Sequence, residues 1–216
     1  MNPLIPPLLL MLVFDVAGQT VASKVTANEE TRPVGIKADE LSEWDTLAGD
    51  RKRLIKAALA VVNESPWLPY LAGGEDPDDG GLDCSGAMYH VMRNVGLQPP
   101  RSSGRQMEWL RKNRRFHAVS PDARDMHHNS FAALKPGDLL FWAKPDPDGM
   151  IRVHHVAMYL GTEKRDGRAV MIGSTDGRSY RGRKTNGYGV QDLRVPAVES
   201  PSRLVGYGTP HGMGTE

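Results

Sequence analysis

The run GGLDCSGAMYHVMRN, residues 80–94, decides the fold. Two glycines and Leu82 lead into Asp83, then the chain's single cysteine, then the small residues Ser85, Gly86 and Ala87. The pattern predicts a helix that opens at Cys84, runs to Asn94 and closes on Gly96 as a C-terminal cap, with Pro99 and Pro100 barring its continuation. A helix start carries about half a positive charge, which favours a thiolate over a thiol. Its first backbone N–H groups are free to stabilise an oxyanion beside the sulfur, and small neighbours let a carbonyl approach. A lone cysteine is ordinarily a small buried hydrophobe. That reading needs none of these surroundings, so Cys84 is the candidate nucleophile.

Outward from this helix the chain divides by element type. Upstream, DRKRLIKAALAVVN (50–63) repeats apolar residues at Leu54, Ala57, Ala58 and Val61, a helical spacing stopped by Pro66 and Pro69. Downstream, residues 103–112 form a third helix with Ser102 or Ser103 as its N-cap and Met107 and Leu110 setting its register. Beyond Pro121 the character changes to strands, predicted over 139–143, 151–160, 168–174 and 190–195, with turn signals at Pro136-Gly137, Asp148-Gly149 and Asp166-Gly167. Helices first and strands after predict an α+β domain, helices packed on one face of an antiparallel sheet.

A thiolate nucleophile needs a base that also protonates the leaving amine, and histidine is the usual choice. Of the seven histidines, His90 points away from the helix start, and His117, His127, His128 and His211 lie in polar, loop-like stretches. His154 and His155 sit on the predicted strand 151–160. Alternation puts His155 with Ala157 and Tyr159 on one face and His154 with Val156, Met158 and Leu160 on the other. The face with the small Ala157 leaves room for a reacting group, which selects His155. For either residue the alternative is a histidine satisfied within the sheet.

Composition narrows the classes. Among 216 residues, 25% are charged and 39% hydrophobic, the balance of a globular protein, and the net charge of +1 gives no electrostatic case for nucleic acid. Basic clusters at Arg111–Arg115 and Arg178–Lys184 read as solvated faces that also suit an anionic polymer. One cysteine excludes an internal disulfide and a cysteine-cluster zinc site, and HxxxH spacing is absent, so no metal and no cofactor are implied. Residues 1–18 contain an apolar run, Leu8 to Phe14, too short to span a bilayer and similar to the core of an export signal. The absence of a preceding Lys or Arg, and the interruptions at Pro6, Pro7 and Asp15, argue against that. The expected organisation is a signal segment (1–18), an extension or strap (19–48) and a catalytic domain (49–210), acting in the periplasm or outside the cell without stable membrane insertion.

Five pieces in order now resemble the NlpC-type cell-wall peptidases, papain-like cysteine endopeptidases. They are Pro69-Tyr70 followed by Gly73-Gly74, then Leu82-Asp83-Cys84-Ser85-Gly86, then Pro100-Arg101-Ser102-Ser103 with Gln106, then Pro136-Gly137-Asp138-Leu139, and last His155-Val156-Ala157-Met158-Tyr159-Leu160-Gly161. The resemblance covers about residues 50–176. It implies Cys84 as nucleophile, His155 as base, Tyr70 beside the sulfur, and Asp83 and Ser85 as holders of a stem peptide's free amine. On residue chemistry alone Asp83 is equally an N-terminal helix cap and Ser85 a filler. Arg101 either binds a substrate carboxylate or pairs with an Asp, the second slightly favoured, and Asp138 bonds backbone in its turn.

The pattern breaks once. The family usually carries a third polar residue, often His, on the next strand to orient the imidazole. Here that position matches Gly173, which leaves Asp176 as the first substitute and Ser174 as the second; a backbone carbonyl or water in that role, or an impaired enzyme, stay open. Thr175-Asp176-Gly177 is also an ordinary turn. The arginines of 173–189 either rim the cleft and face acidic stems or belong to a solvated loop. The expectation is hydrolysis of peptidoglycan stem peptides or muropeptides through a Cys84–His155 thioester. Its rivals are an antibacterial amidase effector of the same fold, with an immunity or inhibitor protein as partner, and a wall-binding module without activity.

Overall fold

The structure, a computed structural model, describes residues 31–197 and 199–214, so the expected signal segment and the first part of the extension lie outside the described residues. Three α-helices precede most of the sheet: α1 (Gly49–Glu64), α2 (Cys84–Asn94) and α3 (Ser103–Lys112). The strands are β1 (Phe116–Ala118), β2 (Leu139–Pro145), β3 (Ile151–Thr162), β4 (Ala169–Thr175), β5 (Ser179–Tyr180), β6 (Arg183–Lys184), β7 (Gly187–Asp192) and β8 (Arg203–Gly208). Six form one antiparallel sheet in the order β1-β8-β2-β3-β4-β7, while β5 and β6 make a separate small hairpin. This is the expected α+β arrangement.

The helices meet the sheet through one continuous core. Leu54, Ile55 and Ala58 of α1, Met88, Val91 and Met92 of α2 and Leu110 of α3 pack against Val156, Met158, Leu160 and Ile172. The opposite sheet face holds Leu140, Trp142, Ala157, Tyr159 and Tyr207, covered by the 119–134 loop through Val119, Ala123 and Phe131. His155 belongs to this second face with Trp142, its register partner on β2. The alternation read from the sequence therefore holds along β3.

Several local devices fix these elements. Helix α2 ends as its glycine predicted: Gly96 takes φ +87° and the Leu97 N–H returns to the Met92 carbonyl. Beneath the sheet, Asp138 accepts from the Lys135 N–H (3.0 Å), Arg51 Nη1 (2.9 Å) and Thr209 Oγ1 (2.7 Å), and Arg51 also donates to the Pro136 carbonyl. Breaking such a buried pair from one side costs about 3–5 kcal/mol, because the other charge is left unmatched. Residues 31–47 lie as a strap, with the Val190 N–H donating to the Val34 carbonyl and the Ser42 N–H to the Thr162 carbonyl.

Strands β1, β5, β6 and β8 escaped the sequence. The last sheet strand is Arg203–Gly208, between β1 and β2, and the stretch expected as a strand at 190–195 is β7, displaced to Gly187–Asp192. Ladder β3–β4 has its last paired residues at Met158↔Ile172, short of His155.

Candidate active site

Asp83 is the N-cap of α2. Its side chain accepts from the Gly86 N–H at 2.7 Å, which stops the helix one residue before the thiol. A carboxylate with five donors holds this turn. Asp83 Oδ1 receives Gly86, Ser85 Oγ (3.0 Å) and Arg101 Nη1 (3.1 Å), and Oδ2 receives the Gly73 N–H (3.0 Å) and Arg101 Nη2 (2.7 Å). Arg101 extends the web to Glu75, Ser85 Oγ and the Gly73 and Gly74 carbonyls. Burial raises the Asp83 carboxyl, yet the Arg101 contacts and the Gly86 N–H overcome it and hold the pKa below the usual value. Gly86 is needed here, because a Cβ would overlap the Gly74 carbonyl and the Arg101 guanidinium. Asp83 is thus the cap, and Arg101 is its partner. Five donors share the two oxygens of Asp83 in this arrangement.

The sulfur lies against the backbone of β3. Cys84 Sγ donates to the His154 carbonyl at 3.9 Å, and the Val156 N–H points back at it, so the thiol lies against the backbone on both sides of His155. Ser174 Oγ donates to the Leu82 carbonyl at 2.5 Å and pins the approach to the helix. Burial raises the thiol pKa above its ordinary value; the N–H groups of Val156, Ser85 and Cys84 pull the other way and Asp83 adds to the rise. The helix start favours a thiolate as expected, but desolvation of a largely buried sulfur outweighs it.

His155 is 8% exposed. Its ring packs against Trp142 with centroids 5.3 Å apart, and Nε2 is buried without a hydrogen-bond partner among the described residues. Burial, then the charges of Arg178 and His154, push the imidazole well below its ordinary pKa, so it is neutral near pH 7. At rest the thiol and the imidazole are therefore both neutral.

Neither residue expected to orient the imidazole does so. Ser174 spends its hydroxyl on Leu82. Asp176 makes no hydrogen bond or ion pair among the described residues; its charge acts on Tyr70 and does not figure among the charges acting on His155. The reason lies in the connection after β4, which turns away into the β5–β6 hairpin instead of continuing past His155. Gly173 is crowded on that face, with a Cβ there only 3.2 Å from that of Ala157. The ring is held by Trp142 packing in place of a polar partner.

Tyr70, expected beside the sulfur, is near enough for the Cys84 charge to act on its phenol. It bridges to Leu82, and burial, then Cys84, Asp83 and Asp176, raise its phenol pKa. Its O–H is a protonated donor beside the sulfur. Arg178 lies over the Trp142 ring at 4.2 Å from guanidinium carbon to ring centroid. The sequence groups it with a basic cluster, and its seat on Trp142 distinguishes it. Among the described residues no group of His, Cys, Asp and Glu is placed to hold a metal ion, and no helix is long and apolar enough to cross a membrane.

Comparison with known proteins follows the same residues. The family model described as NlpC/P60 family matches residues 68–189. A gamma-D-glutamyl-L-lysine dipeptidyl-peptidase from Bacillus cereus is 37% identical over 94 residues, 44% of this chain and 22% of that protein. One of the same description from Bacillus subtilis is 36% identical over 97 residues, 45% of this chain and 26% of the relative. The chain thus spans about a quarter of the length of the curated relatives it matches. Among solved structures, an NLP/P60 family protein from Staphylococcus aureus, described as similar to lipoprotein, aligns with a TM-score of 0.47 at 20% identity, covering 83% of this chain and 44% of that one.

Proposed function

The chain belongs to the NlpC/P60 family, and on that premise we propose that it is a cysteine peptidase that hydrolyses γ-D-glutamyl bonds to a diamino acid in peptidoglycan stem peptides. The observation that carries this is the placement of Cys84 at the first residue of α2, its sulfur lodged against the strand backbone that flanks His155. The bond is suggested by the two relatives described as gamma-D-glutamyl-L-lysine dipeptidyl-peptidases. Such a substrate puts the site of action in the periplasm or outside the cell.

The proposed chemistry starts from the neutral pair. The substrate carbonyl enters above the sulfur, and His155 takes the thiol proton as Cys84 Sγ attacks the carbonyl carbon. The resulting oxyanion faces the N–H groups of Cys84 and Ser85, which take no part in backbone pairing, and the Tyr70 hydroxyl. The imidazolium then gives its proton to the leaving amine, the carbon–nitrogen bond breaks, and a thioester remains on Cys84. Water, deprotonated by the again neutral His155, attacks that thioester and releases the acid and the free thiol. Imidazolium formation is costly in so buried a setting, so the pair stays neutral until substrate arrives.

The test is incubation of L-Ala-γ-D-Glu-L-Lys and of purified muropeptides with wild type and with Cys84→Ala, read by mass spectrometry. New L-Ala-γ-D-Glu and a free diamino acid from wild type alone are expected. Intact substrates with both proteins, together with a Cys84 that resists a thiol probe, would remove the peptidase reading.

A further inference from the structure

We propose that Arg178 is the receptor for the free α-carboxylate that a γ-linked D-glutamyl residue presents beside the scissile bond, a specificity residue that rests on the glutamyl-bond reading above. Three neighbouring arginines are neutralised within the chain: Arg181 by Glu163 and Asp166, Arg168 by Asp192, Arg101 by Asp83 and Glu75. Arg178 differs. Its guanidinium has no hydrogen bond or ion pair among the described residues, though burial is deep enough to lower its pKa to about 10. A desolvated, unmatched charge is costly, and at neutral pH this one persists.

Its position is built. The Arg178 carbonyl receives the Thr185 N–H (2.8 Å) and Thr185 Oγ1 (3.2 Å), closing the β5–β6 hairpin at its base. The hairpin is tied to the sheet by Tyr180 Oη to Glu163 (2.7 Å) and by the Arg181 N–H to Asp192. The guanidinium then rests on Trp142, whose ring packs on His155, and its charge is felt at Cys84 and His155. An anion bound here sits next to the reacting pair.

The chemistry of a γ-glutamyl link supplies such an anion. The chain passes through the side-chain carboxyl, so the α-carboxylate stays free, two methylenes from the carbonyl that Cys84 would attack. A planar guanidinium with open donors matches a carboxylate in two parallel hydrogen bonds. An α-carboxamide of the same shape lacks the charge and turns an N–H group toward those donors.

The experiment uses the dipeptide product, which binds without turnover. Titration calorimetry of L-Ala-γ-D-Glu and its α-carboxamide is run on the wild type, Arg178→Gln and Arg178→Lys, with unfolding midpoints to verify folding. We expect the wild type to prefer the acid by about 10- to 100-fold, the range of a charge-assisted pair. The preference should fall to near one in Arg178→Gln and remain in part in Arg178→Lys. Equal binding of acid and amide by wild type, no binding of either, or undiminished discrimination in Arg178→Gln would overturn the proposal. So would a shifted pH profile of Cys84 alkylation in Arg178→Gln with the acid preference unchanged, because Arg178 would then serve the reacting pair. Discrimination without any cleavage would instead sink the peptidase reading and leave the receptor standing.

Discussion

Replacing Asp83 with Asn tests how the nucleophile is held, because the substitution keeps shape and removes only charge and acceptors. In the native turn Oδ1 accepts from Gly86, Ser85 and Arg101, and Oδ2 accepts from Gly73 and Arg101. Asn retains the carbonyl half, and as an N-cap it ranks with Asp, so the capping bond itself is kept. Its NH2 group, however, faces the Gly73 N–H and Arg101 Nη2, donor against donor. Two bonds are lost, one of them charge-assisted, and Arg101 loses its best-buried counter-charge while Glu75 remains. Those losses sum to about 2–3 kcal/mol. Over a domain of this size that lowers the thermal midpoint by about 4–12 °C. Urea unfolding followed by tryptophan fluorescence reads it directly. The same change removes a charge that raises the Cys84 pKa, so the thiol should ionise more readily in the variant. A stability within 0.5 kcal/mol of wild type, with the thiol pKa unmoved, would refute the claim that the Asp83–Arg101 web positions Cys84.

Other outcomes follow from the same geometry. Thiolate absorbance of the free protein should titrate above the ordinary thiol value because burial dominates at Cys84; a midpoint several units lower would mean a resting ion pair with His155. His155 has a depressed folded pKa, so below about pH 6.5 the unfolded chain binds the proton that the folded chain refuses. Its contribution is therefore full above that pH and lost as pH falls toward the folded pKa, and His155→Gln should flatten the acid side of a stability–pH curve; an unchanged slope would contradict the burial argument. Tyr70→Phe should lower kcat about 100-fold with KM nearly constant if its hydroxyl faces the oxyanion, while a change confined to KM would reassign Tyr70 to substrate binding.

What the sequence made legible was set by local signals. The start of α2 at Cys84, the cap at Gly96 and the face of His155 all follow from residue spacing, and each stands as read. The third helix began after Ser102, one of the two caps read for it. Strand β8 was missed because its pairing between β1 and β2 joins segments far apart in sequence, and Arg203–Gly208 carries two glycines that weaken a strand signal. The orienting residue failed for a similar reason. Counting along β4 finds Ser174 and Asp176, but whether either reaches His155 depends on where the β3–β4 ladder ends, and it ends at Met158↔Ile172. Arg178 was visible only as one cation in a cluster, because its seat on the Trp142 ring is a property of packing.

The central claim is that Cys84 carries the acyl group in turnover. Quenching the enzyme in acid during hydrolysis of L-Ala-γ-D-Glu-L-Lys, then measuring intact mass and mapping the peptide, tests this most directly. The account predicts an adduct equal to the L-Ala-γ-D-Glu acyl group, located on Cys84 and released by hydroxylamine. Cleavage that proceeds at an undiminished rate in Cys84→Ala, with no adduct on the wild type, would contradict it.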